Sequence, residues 1–177
     1  MLHLLLGAAL VASPLTTSDT VPRDSAARGI SQRRKAVEYS DWYAIRLKVH
    51  RIGSYAEFPV FAAQYVVGQR LMNSTPRSDA LQGTHGALAA ATGWLFASNT
   101  VTGVWNLWDS RQDPAGRTRR LIHSALMIAS DAGFLWTAGL ADDDQVGGSN
   151  TRRHRQAAIA AMSLSAAGTV MMWLWRD

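Results

Sequence analysis

Four of the five histidines, His50, His85, His123 and His154, stand at or near the leading ends of four successive apolar segments. An imidazole ligates a transition metal through one ring nitrogen, while a hydrogen bond at the other fixes its tautomer and orientation. If the four segments are antiparallel helices, alternate histidines fall at alternate ends. His50 and His123 then share one end, side A, and His85 and His154 share the other, side B. Two imidazoles facing one another can hold a haem iron from both sides, so the pattern supplies two bis-histidine sites. A blander origin competes at two positions. His154 lies within Arg152-Arg153-His154-Arg155, and His50 follows a basic stretch, as members of a solvated basic cluster would. His85 and His123 are bordered by apolar sequence.

The segments that must position these rings are poor in charge. Residues 80–108 and 156–175 contain no Asp, Glu, Lys or Arg; residues 121–141 contain only Asp131, and residues 52–69 only Glu57. A helix of about 20 such residues crosses roughly 30 Å of hydrocarbon. The mean hydropathy of the whole chain is near zero, because residues 14–51 are polar and offset the apolar segments. The expected fold is all-α, an integral membrane up-down-up-down four-helix bundle, with helices at about 41–72, 84–108, 117–141 and 151–176. Pro76 marks the first turn, Pro114 and Gly116 the second, and a polar, glycine-containing run at 142–150 the third. Residues 1–13 form an apolar N-terminal segment that resembles a signal-peptide core. Residues 14–40 read as a polar flexible linker, and 41–177 as the transmembrane domain.

Composition narrows the function further. With no cysteine, iron–sulfur clusters and Cys-ligated zinc are excluded. The net charge of +5 reflects arginines beside apolar segments rather than any nucleic-acid motif. In the antiparallel arrangement Trp42, Trp105, Trp108, Trp173 and Trp175 all fall on side A, as an interfacial belt would. Basic residues also concentrate there: Arg33, Arg34, Lys35, Arg46, Lys48, Arg51, Arg111, Arg117, Arg119, Arg120 and Arg176. Side B carries Arg70, Arg77, Arg152, Arg153 and Arg155, partly offset by Asp142, Asp143 and Asp144. The positive-inside rule makes side A cytoplasmic in a bacterial-type inner (plasma) membrane. A cleaved signal peptide would instead leave side A outside, so these two signals conflict.

A second constellation lies deeper. Glu57 follows His50 by seven residues and Asp131 follows His123 by eight, so each sits about 11 Å further from side A. Asn99 and Ser165 reach a similar depth. Glu57, Asn99 and Asp131 are expected to form a buried polar layer, either locking the helices together or relaying protons and binding a quinone head group.

One histidine on each of four core helices, separated by 35, 38 and 31 residues, resembles the cytochrome b561 family. The resemblance covers about residues 41–176. It implies a four-helix core with haem b near each membrane face, one or two haems in all. His50 would pair with His123 and His85 with His154, and electrons would pass across the lipid bilayer from a donor to an acceptor. The family's outer helices and any ascorbate-site motif are missing here, so donor and acceptor are not carried over. Two other functions fit the bare helices: a haem-free structural or assembly subunit of a larger membrane complex, and a small transporter using Glu57 and Asp131 in a proton-coupled step.

Overall fold

The computed structural model describes residues 36–141 and 149–175. The apolar segment 1–13, most of the polar segment 14–40, Arg33, Arg34, Lys35, Asp142, Asp143, Asp144 and Arg176 lie outside the described residues. The described residues are all-α and contain no strand. Four helices follow one another: α1 (Tyr43–Asn73), α2 (Asp79–Asp109), α3 (Arg117–Gly139) and α4 (Ser149–Leu174).

Local chemistry sets the ends. α2 begins five residues before the expected position 84. Ser78 caps it, its hydroxyl accepting from the Leu81 amide at 3.4 Å, and Asp79 places a negative charge in the first turn. Gly83, which weakens helix propensity, therefore sits inside the helix rather than before it. α3 starts after Gly116, whose φ of 63° is a left-handed conformation that strains any residue with a Cβ. Pro59 lies within α1 without ending it; having no N–H, it leaves the Tyr55 carbonyl without its usual helical donor.

Contacts between named residues fix the directions. His50, near the start of α1, meets Gly103 near the end of α2, while Gly68, near the end of α1, meets His85 near the start of α2. His123 and Gly168, then Thr137 and His154, relate α3 and α4 in the same antiparallel way. Glu57 with Ser165 joins α1 to α4, and Thr100 with Asp131 joins α2 to α3. The helices thus form a ring in chain order with an up-down-up-down course. α1–α3 and α2–α4 are its two diagonals. Packing is close within the α1–α2 and α3–α4 hairpins and sparse between them.

The interior is more polar than the exterior. Among the described residues the buried apolar side chains are Phe61, Phe96 and Ala161, whereas Ser54, Glu57, Thr92, Asn99, Ser130, Thr137, Ser165 and Thr169 are all buried. Trp94 and Leu135 are 78% and 76% exposed, and Ile128, Val101 and Val104 also point outward. Among the described residues two helices, α3 and residues 150–174 of α4, are long and apolar enough to cross a membrane. α1 and α2 have 31 residues each, ample length, but their glycines, hydroxyls and amides lower their hydropathy.

Candidate functional site

The histidines meet across the two diagonals. The rings of His50 on α1 and His123 on α3 have centroids 6.0 Å apart, inclined at 85°. Those of His85 on α2 and His154 on α4 lie 6.1 Å apart, inclined at 59°. The pairs occupy opposite ends of the bundle. Along α2, α3 and α4 the histidine of one pair stands fourteen residues, about 21 Å at 1.5 Å per residue, from the carbonyl that seats a ring of the other. All four rings are half-buried.

Each ring is seated by the neighbouring helix of its own hairpin. His50 Nδ1 donates to the Asn99 carbonyl at 3.0 Å and approaches the Thr102 hydroxyl at 3.2 Å. His123 Nδ1 donates to the Gly168 carbonyl at 3.2 Å, and His154 Nδ1 to the Thr137 carbonyl at 2.9 Å. A carbonyl only accepts, so the proton lies on Nδ1 and Nε2 keeps its lone pair. Glycines give the rings room: a Cβ at Gly103 would stand 3.1 Å from His50 Cε1, and one at Gly68 3.2 Å from His85 Cε1. Gly83 and Gly86, which flank His85 in sequence, and Gly93 face open space instead, because they lie off the inward stripe of α2.

A register common to all four helices underlies this arrangement. Seven residues after each histidine stands a buried residue: Glu57, Thr92, Ser130 and Ala161. Eleven after it stand Phe61, Phe96, Phe134 and Ser165, and fourteen after it the buried Gln64, Asn99, Thr137 and Gly168. Offsets of 7, 11 and 14 keep to one helix face, so each histidine heads an inward stripe. Three of the four fourteenth residues supply the carbonyl that holds the histidine of the antiparallel neighbour. The fourth, Gln64, does not: His85 Nδ1 is buried without a partner, and so is Gln64 Oε1.

The donor set can be tested against a metal. With a metal–imidazole bond of about 2 Å and a ring centre about 1 Å beyond the nitrogen, an iron midway between two axial imidazoles sets their centroids roughly 6 Å apart. Both pairs match that span. Among the described residues no group of three or more His, Asp or Glu could hold a metal ion. Two imidazoles are too few for a tetrahedral site, but suit an ion whose other four ligands come from a macrocycle.

Between the pairs lie two clusters. Glu57, 2% exposed, accepts from Asn99 Nδ2 at 2.9 Å and from Ser165 Oγ at 2.8 Å, tying α1, α2 and α4 together. Asn99 serves twice, its carbonyl holding His50 and its side chain Glu57. Asp131 is not part of that network. It accepts from Thr100 Oγ1 at 2.8 Å, because the eighth residue after a histidine lies off the inward stripe where the seventh lies on it. Next to this layer Phe61, Phe96 and Phe134 form an aromatic cluster with centroids 4.6–6.0 Å apart.

The end holding His50 and His123 is further tied by its polar rim. Arg46 pairs with Asp109 and donates to Ser40 Oγ at 2.8 Å, and its guanidinium lies 5.0 Å from the Trp105 ring centroid. The Tyr39 hydroxyl donates to Asp113 Oδ2 at 2.6 Å. That bond, with some desolvation and the Asp113 charge, pushes the Tyr39 pKa up to about 12. Arg120 donates to the carbonyls of Ser110 and Asp113, closing the α2–α3 turn.

Comparisons with protein-family models, curated proteins and solved structures found no match to this chain.

Proposed function

We propose that this chain is a b-type haem electron-transfer protein of the membrane, similar to the cytochrome b561 family in its four-helix core. His50 and His123 would be the axial ligands of one haem, and His85 and His154 those of a second. The observation that carries the reading is the pair of diagonal histidine couples, each with the centre-to-centre span that an iron between two imidazoles requires. Haem would supply a reversible one-electron change at iron. The chain's own residues do the rest. The carbonyls of Asn99, Gly168 and Thr137 hold three imidazoles in the tautomer that ligates. Phe61, Phe96 and Phe134 fill the middle of the bundle and exclude water between the two ends. Glu57, bonded to Asn99 and Ser165, sets the polarity beside the side A pair.

Embedding in lipid is supported by the inverted polarity of the bundle: an outward surface of Trp94, Val101, Val104, Ile128 and Leu135 and an inward one of hydroxyls, amides and a carboxyl. A water-soluble bundle would bury the first set and expose the second. Exposed Trp42, Trp105, Trp108 and Trp173 at the His50 end fit an interface belt. The partners are a lipid bilayer and an electron donor and acceptor.

Full-length protein purified in detergent after haem-supplemented expression should show a reducible Soret band and split α band, with two haems per chain by pyridine haemochrome. A colourless protein from such an expression rejects the haem reading and leaves a structural subunit.

A further inference from the structure

His50 and His123 face one another along the α1–α3 diagonal. A planar group held between them would be flanked by the other two helices, α2 and α4. Those helices present two buried polar side chains that the protein leaves unsatisfied. Asn106, on α2, is 7% exposed, and neither Oδ1 nor Nδ2 has a hydrogen-bond partner. Thr169, on α4, is 3% exposed, and its hydroxyl has none. The lack is unusual for its type: Thr92, Thr102 and Thr137 each return their hydroxyl to the carbonyl four residues back. Asn106 continues the inward stripe of Thr92, Phe96 and Asn99, and stands one turn beyond Gly103, the glycine under the His50 ring. Thr169 stands one turn beyond Ser165 and next to Gly168, whose carbonyl holds His123. Both positions lie outward of the Glu57 layer, toward the open end of the bundle. An apolar residue would fill either place without the penalty of a buried unmade hydrogen bond.

We propose that Asn106 and Thr169 bind the carboxylate side chains of the macrocycle at this end, Asn106 Nδ2 and Thr169 Oγ1 each donating to a propionate oxygen. The inference rests on the haem reading above. Two arginines of this rim are already engaged, Arg46 by Asp109 and Ser40 and Arg120 by the turn carbonyls. Among the described residues the other end has no equivalent pair, since Gln64, whose Oε1 is unsatisfied, lies inward of Gly68 rather than outward.

The test crosses a protein change with a ligand change. Full-length wild type, Asn106→Leu and Thr169→Val are reconstituted with haem or with haem dimethyl ester, whose carboxylates are blocked. Transfer to apomyoglobin is followed, and thermal midpoints are taken of the apoproteins. The expected result is faster loss of native haem from the variants by about 10–100-fold, the range for a hydrogen bond to a charged group. Esterified haem should leave wild type and variants at similar rates, and apo Asn106→Leu should melt no lower than wild type. Equal acceleration for both haems, or no acceleration, overturns the proposal and leaves the axial sites intact. A lowered apoprotein midpoint together with equal acceleration assigns Asn106 to bundle packing and also overturns it. Failure of the wild type to bind either haem defeats the haem reading itself.

Discussion

The two histidine pairs are built on one pattern and differ in how completely they realise it. At the His50–His123 end both Nδ1 atoms donate to carbonyls, the rings stand at 85°, and the rim is tied by Arg46, Asp109, Tyr39 and Asp113. At the His85–His154 end only His154 donates, the rings stand at 59°, and His85 Nδ1 is left alone. A ligand whose second nitrogen is hydrogen-bonded is more basic and better placed. The pattern that repeats in sequence therefore does not give equivalent sites: one end is held by its surroundings, and the other is left looser.

The largest effect that can break the comparison is removal of a ligand. His123→Leu should reduce the haem content from two per chain to one and spare the other end, and His154→Leu should do the converse. Loss of all haem from either variant would mean that the ends are not independent. Next come the glycine seats. Gly53→Ala would put a Cβ 2.2 Å from Asn99 Oδ1, breaking the bond to Glu57 and pushing α1 from α2. A loss of about 1–3 kcal/mol is expected, as for an overpacked core, read as a lower thermal midpoint. An unchanged midpoint would place the hairpin's stability elsewhere. Gly103→Ala, whose Cβ would meet His50 Cε1 at 3.1 Å, should disturb haem only at its own end.

A finer effect concerns potentials. The better-donating histidines at the His50–His123 end should favour ferric iron and lower its reduction potential below that of the other end. Each tenfold in ferric-over-ferrous preference is worth about 60 mV for one electron. Redox titration of the two single-ligand variants gives the order, and a reversed order would remove any role for the missing His85 bond. The smallest effect lies on the rim. Tyr39, its pKa raised to about 12 by Asp113, keeps its bond below the ordinary phenol range near pH 10 and loses it as pH rises through 12. Ultraviolet titration of Asp113→Asn should show Tyr39 ionising closer to pH 10; no change would assign the shift to another group.

Much of the architecture was legible because charge and apolar length mark helices directly. The alternation of the four histidines is a consequence of helix direction, so which of them share an end can be read from helix order; that they meet across the diagonals cannot. Glu57 and Asn99 were recognisable as buried polar groups in an apolar run. Depth alone does not bring Asp131 into their hydrogen-bond network. One residue is a rotation of about 100° on a helix, enough to carry a side chain off the inward stripe and onto Thr100. The internal register was also missed. The residues at offsets of 7 and 14 share burial but not type, as with Glu57, Thr92, Ser130 and Ala161, so similarity of letters conceals a similarity of position. Gly68 could have been found from the same spacing, since it stands eighteen residues after His50, as Gly103 stands eighteen after His85.

Close packing inside each hairpin and sparse packing between them has a consequence for assembly. Every proposed iron takes one ligand from α1–α2 and one from α3–α4, so the cofactors would act as rivets joining two prefabricated halves. Co-expressed fragments divided between Asp109 and Arg117 should then purify together when haem is supplied and drift apart when it is withheld, whereas co-purification independent of haem would locate the adhesion in the helices themselves.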